Sequence, residues 1–435
     1  MTSETNDNIP SNTNTANVEG DNNITVQHAS GPVNIHVGNI INKATDDKRP
    51  TNMLLSRKLI EAIQDYSPRA KEFLEKKINE SKKAIWETKD KYLPIAKRHI
   101  ISSYVSVLGV FLERIFGSGN TREYFEVSIA TVKRSIQLLC YTFISGLWDQ
   151  PKENKYQLSG EQNKLLTNFF NSPGELDFIE YVELFKTLVS VFHDNKIEYP
   201  FVGFINLEND IINGKVFLTT CENIDAFREK FKKGQNLPTV DEIEKELTSF
   251  LVSLNFLANY KMVSVKDIGY EKVRYNPAQY LHAYTPLGVN NDKKSYGQKY
   301  NYQDEPINTD AILLFKNSYQ EGLNLFPFII DYNAFTYEKE VRICFYAGND
   351  ENIDDNDKKV KFLKYIDIKE ISSDTNNDSE VKIEFNEDIE KAIMTKEDKD
   401  IITKYKTEPN STSFYAMKKN GAYKTFEKAK EAIVK

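Results

Sequence analysis

Asp331 ends the apolar run FPFIID, and Glu340-Val341-Arg342 opens the next one, VRICFYAG. A carboxylate on one strand facing Glu-x-Lys on its neighbour can hold Mg²⁺ and orient a water for phosphodiester hydrolysis. Here the last position is Arg342, which stays charged and is a poor proton donor or acceptor. No upstream acidic helix completes the set. Asp331, Glu340 and Arg342 are therefore weak catalytic candidates for a metal-dependent nuclease or phosphoesterase. An ordinary hairpin with charged shoulders, ten residues from Asp331 to Glu340 with both ends counted, explains them more simply.

Other chemistries are absent from the sequence. There is no glycine-rich loop ending in GKS or GKT, no His-Glu-x-x-His, no paired CxxC and no GxSxG. The five histidines (His28, His36, His99, His193, His282) have no second ligand three or four residues on. Neither a metal site nor a cofactor is expected from them. Cys140, Cys221 and Cys344 lie far apart in apolar stretches. They read as reduced core residues of a cytoplasmic protein.

Aromatic residues are the second feature that could bind something. Tyr270, Tyr275, Tyr280, Tyr284, Tyr296, Tyr300 and Tyr302 crowd one segment, interleaved with Lys272, Arg274 and Lys299. We rank strand packing first for them, a protein interface second and stacking on nucleic acid third. The chain carries 57 Lys+Arg against 64 Asp+Glu, a net charge of −7, which argues against a generic nucleic-acid binder.

A third candidate lies in GDNNITVQHASGPVNIHVGNIIN. Ile24 and Val26, then Val33, Ile35 and Val37, alternate around a Gly31-Pro32 turn. That pattern predicts a hairpin over 21–42. A lone hairpin is marginal in water, so its apolar strip needs a partner. Residues 1–20, nearly all polar, are expected to stay a disordered tail without a signal peptide.

The elements that must position these residues fall into two grammars. Over 52–195 the apolar spacing is helical. Helices are expected near 53–66, 68–92, 93–116, 121–148, 159–171 and 175–194, with the fourth central to a bundle. The uncharged stretch Ile100–Leu112 is too short for a bilayer span. Over 196–435 strands are expected at 200–208 and 214–220, around an Asn213-Gly214 turn. Thr239 opens a capping-box helix, and a mainly antiparallel set of strands follows from Lys261. The run Gly348–Lys359 reads as a solvated hairpin tip. The fold class is α+β: an N-terminal helical bundle, then a mixed domain with a mainly antiparallel sheet.

Three segments carry a resemblance. GDNNITVQHASGPVNIHVGN resembles the GDxN-type β segments at the N-termini of bacterial conflict and antiphage proteins. REYFEVSIATVKRSIQLLCYTFISGLWD with SPGELDFIEYVELFKTLV is similar to a helical module of bacterial defence operons. YKMVSVKDIGYEKVRY with LFPFIIDYNAFTYEKEVRICFYAG resembles the β-rich module that accompanies it. The resemblance implies an adaptor that joins a neighbouring sensor or effector protein, and it brings no catalytic residues. The expected function is a non-enzymatic sensor, adaptor or regulatory component acting through protein–protein contact, with a second copy of the chain as another partner. The alternatives are the nuclease or phosphoesterase above and a structural interaction protein without an immune role.

Overall fold

The computed structural model describes residues 50–434 except 81–91, 152–155, 259, 289–298, 308–310, 337–340, 354–358, 370–379 and 388–411. The chain divides into two units, Met1–Thr45 and Asp46–Lys435. The hairpin residues Ile24, Val26, Val33, Ile35 and Val37 lie outside the described residues.

In the second unit, helices α1 (Met53–Ala62), α2 (Pro68–Glu80), α3 (Leu93–Ser103) and α4 (Ser106–Gly117) precede the 28-residue α5 (Thr121–Trp148). Then come α6 (Gly160–Asn171), α7 (Phe178–Asn195), α8 (Ile205–Asn209), α9 (Val216–Lys232) and α10 (Val240–Ser253). Two antiparallel sheets follow. The first orders β3 (Lys299–Gln303), β2 (Gln279–Leu287), β1 (Lys261–Glu271), β4 (Ile312–Phe315) and β5 (Leu323–Asn324). The second orders β6 (Ile329–Asp331), β7 (Ile343–Ile353), β8 (Lys359–Asp367) and β9 (Glu380–Phe385). Helix α11 (Thr412–Ile433) closes the chain. The α+β class holds.

Local signals explain most starts. Ser159, Asp177 and Thr239 each form a reciprocal capping box with the residue three positions on, at α6, α7 and α10. Helix α5 is buried over most of its surface. Its polar residues survive there because Thr131, Ser135 and Thr142 donate their hydroxyls to carbonyls four residues back, at 2.6–2.7 Å. Below it lies an aromatic layer. The Tyr141 ring contacts Phe169, Phe328 and Phe345, and its hydroxyl donates to the Tyr346 carbonyl. That layer joins the helices to the second sheet.

Three expectations are corrected. After a turn at 201–204, residues 205–214 and 216–232 are helical rather than a strand pair. Phe201, Phe204, Leu207 and Ile211 are buried at helical spacing. A π-turn, Asp210–Gly214, absorbs the Asn-Gly pair. The Asp210 carboxylate then caps α9 by accepting from Val216 N–H (3.2 Å) and Phe217 N–H (2.6 Å). Helix thus gives way to strand near Tyr260, not near 193–200. The expected helix 93–116 breaks at Tyr104-Val105, where Tyr104 bridges Ala258 and its hydroxyl donates to the Leu251 carbonyl at 3.1 Å. Finally, the expected hairpin is present, but its strands run further: Gly348–Ile353 belongs to β7 and pairs with β8, and the rest of the tip, 354–358, lies outside the described residues. Among the described residues no helix is long and apolar enough to cross a membrane.

Candidate functional site

Asp331 sits at the end of β6 with no exposure to solvent. Its Oδ2 accepts from the Ser264 hydroxyl at 2.9 Å and from the Lys266 ammonium. Its Oδ1 accepts from the Arg342 N–H at 2.9 Å. Lys266 reaches it because β1 carries a bulge between Val265 and Asp267. Both carboxylate oxygens are therefore engaged, and the group ties β1 of the first sheet to β6 and β7 of the second. Glu340 lies outside the described residues. The Arg342 guanidinium turns away from Asp331. Its Nε donates to Asp367 at 3.0 Å, and it stacks over the Tyr332 ring at 5.6 Å. Asp331 and Arg342 thus do not direct their side chains to a shared ion position. Among the described residues no group of three His, Cys, Asp or Glu could hold a metal. Lys266 and Ser264 escaped the sequence reading, since pairing across 65 residues leaves no local spacing signal.

A second ionic cluster is structural too. Glu175 accepts from Arg134 (2.7 Å), Gln137 (2.7 Å) and Lys133 (2.9 Å), pinning the loop before α7 to α5. Burial alone would raise the Glu175 pKa, but Arg134 and Lys133 outweigh it and hold the group at about 2, below its ordinary 4.5. A depressed carboxylate stabilises the fold fully above its unfolded pKa and loses that contribution as pH falls through the folded one. At ~1.36 kcal/mol per unit the upper bound is about 3 kcal/mol. Burial lowers the Lys133 pKa despite Glu175, which offsets part of it. Denaturant titrations are expected to show wild type losing stability between pH about 4.5 and about 2. Glu175→Gln should be less stable at neutral pH and flatter across that window.

The tyrosines divide by position. Tyr284 is half-buried against the Tyr319 ring at 4.9 Å. Tyr270, Tyr275, Tyr300 and Tyr302 are 62%, 101%, 60% and 46% exposed, with Val273 at 54% beside them. Tyr270 lies on the far half of β1, Val273 and Tyr275 on the turn that connects it to β2, and Tyr300 and Tyr302 on β3, which has β2 on one side and no strand partner on the other among the described residues. Packing in strands, ranked first from sequence, accounts for Tyr284 and for the edge contact of Tyr270 on Tyr280 at 5.7 Å, while leaving much of these four rings exposed. The Tyr302 hydroxyl donates to Glu271 at 3.1 Å, which orients the ring.

A third feature is a small open cleft between the first turn of α4, the ends of β1 and β2, and the strands β7 and β8. Arg342, Asp367 and Lys369 line it together with Val107, Met262 and Leu287. No protein-family model, curated protein or solved structure matches the chain.

Proposed function

We propose that the chain acts by binding a protein partner, as a non-catalytic adaptor or sensor component, in the defence setting that the sequence resemblance implies. The exposed tyrosine arm carries the reading. Large aromatic rings held in strands give contact area at little entropic cost, and they are enriched at protein interfaces. An edge strand offers unpaired backbone groups to an incoming strand. Charge supports protein over nucleic acid as the partner: residues 267–305 hold five acids and five bases, so no basic track accompanies the rings.

The experiment is capture of the products of neighbouring genes by the full chain. Tyr300→Ser with Tyr302→Ser is expected to weaken capture at least about tenfold, because hot-spot aromatics contribute ~2 kcal/mol or more. Both rings are solvent-facing, so melting should stay within a degree or two of wild type. Val33→Asp with Ile35→Asp, tested alongside, separates the N-terminal segment's contribution. Undiminished capture by the tyrosine variant refutes the arm as the interface. Salt-sensitive binding of a single-stranded oligonucleotide, lost in the same variant, would replace protein by nucleic acid as the partner.

A further inference from the structure

The cleft beside Arg342 has a chemistry of its own, and the inference from it does not rest on the tyrosine arm. One wall is the start of α4, whose first turn holds Ser106 and Val107. Val105 sits at the cap position without a capping side chain, and no acid lies in the first turn. The N–H groups of that turn and the positive end of the helix dipole are thus uncompensated by side chains. Ser106 Oγ is shielded from solvent, with no hydrogen-bond partner. The opposite wall is Arg342, about a third exposed at 32%. Asp367 takes only its Nε, so both terminal nitrogens keep free donors among the described residues. Lys369 adds an ammonium without an ion-pair partner there. The rest of the lining is apolar: Val110, Met262, Leu287, Ile343 and Ile368.

We propose that this cleft binds a small carboxylate with an apolar body. The guanidinium fork would take the carboxylate in a two-point contact, as planar Arg donors do. The α4 N–H groups complete the anion's coordination. Charge decides for a monoanion. Two cations against the one Asp367 carboxylate leave a single positive charge in the cleft, which suits a carboxylate better than a phosphate dianion. The aliphatic walls then cover the body of the ligand, as in other small-molecule sites.

Hexanoate, hexanol and inorganic phosphate serve as probes in titration calorimetry on the full chain. The expected result is saturable hexanoate binding, with hexanol and phosphate much weaker. Arg342→Gln should weaken hexanoate about tenfold or more, the usual effect of losing a charge-assisted contact. Val110→Trp fills the cleft without touching a charge and should abolish binding. If melting shows that Arg342→Gln has lost its fold, Lys369→Ser and Val110→Trp make the same comparison. Failure of wild type to bind hexanoate overturns the proposal, as does hexanoate binding that none of these variants changes. Equal binding of hexanol removes the anion, and equal or tighter binding of phosphate removes the carboxylate assignment.

Discussion

Asp331→Ala is expected to lower the free energy of unfolding by about 3–5 kcal/mol, the usual result of removing one member of a buried ion pair. Asp331 is wholly buried, and it is the acceptor for the Lys266 ammonium, the Ser264 hydroxyl and the Arg342 N–H. Ser264 is itself fully buried and the Lys266 side chain is only 19% exposed, so neither exchanges the lost acceptor freely for water. The alanine variant leaves a charge and a hydroxyl facing a void between the two sheets. Asp331→Leu with Lys266→Met removes both charges and fills the space. It should recover most of the loss, because a well-packed apolar pair often matches a buried salt bridge. The readout is the urea midpoint of each full-length variant. Wild-type stability in the alanine variant would show that the carboxylate is not a sheet-to-sheet tie. Partner capture per folded molecule should stay unchanged, whereas a catalytic carboxylate would lose activity with its fold retained.

The same residue shows what the sequence could and could not reveal. The apolar run ending at Asp331 was legible as a strand, since burial of Phe328, Ile329 and Ile330 follows from composition. The acid at its end looked like a shoulder, because the side chains that engage it, Ser264 and Lys266, lie in a strand 67 and 65 residues earlier. Capping boxes were legible because donor and acceptor lie three residues apart, as at Thr239 and Glu242. Residues 201–217 were misread because a short apolar run with Asn-Gly in it fits two periods. What settled the matter was Asp210 capping α9, together with burial of one face at helical spacing, Phe204, Leu207 and Ile211. The tyrosine arm was visible as composition only; exposure is a property of where the sheet ends. The cleft was not visible at all, since Ser106, Met262, Arg342 and Lys369 meet only in the folded chain.

Gly348→Ala is expected to be among the most damaging single changes, at about 3–5 kcal/mol. Gly348 has φ +129°, a region that residues with a Cβ avoid, which alone accounts for ~1–3 kcal/mol. It marks the bulge in β7 where pairing with β8 shifts register. A Cβ there would lie 2.8–2.9 Å from the backbone N, C and O of Gly174. Backbone cannot rotate aside as a side chain does, so the loop joining α6 and α7 would have to move, adding ~1–3 kcal/mol of overpacking. That movement strains two more contacts: Asn349 donates its N–H to the Ser172 carbonyl at 2.9 Å and its side-chain amide to the Phe170 carbonyl at 2.6 Å. The contact is one-sided, which supplies its own control. A Cβ on Gly174 would meet nothing within 4 Å, and Gly174 is not among the positive-φ glycines. Gly174→Ala should therefore stay within ~0.5 kcal/mol of wild type. Urea denaturation of the two full-length variants, one methyl group on either side of the same contact, measures the docking of β7 on the helical layer. Equal midpoints would mean that the strand can lift off that loop freely. A deep loss at Gly348 beside a neutral Gly174 would mean that helices and second sheet hold together through this close backbone approach.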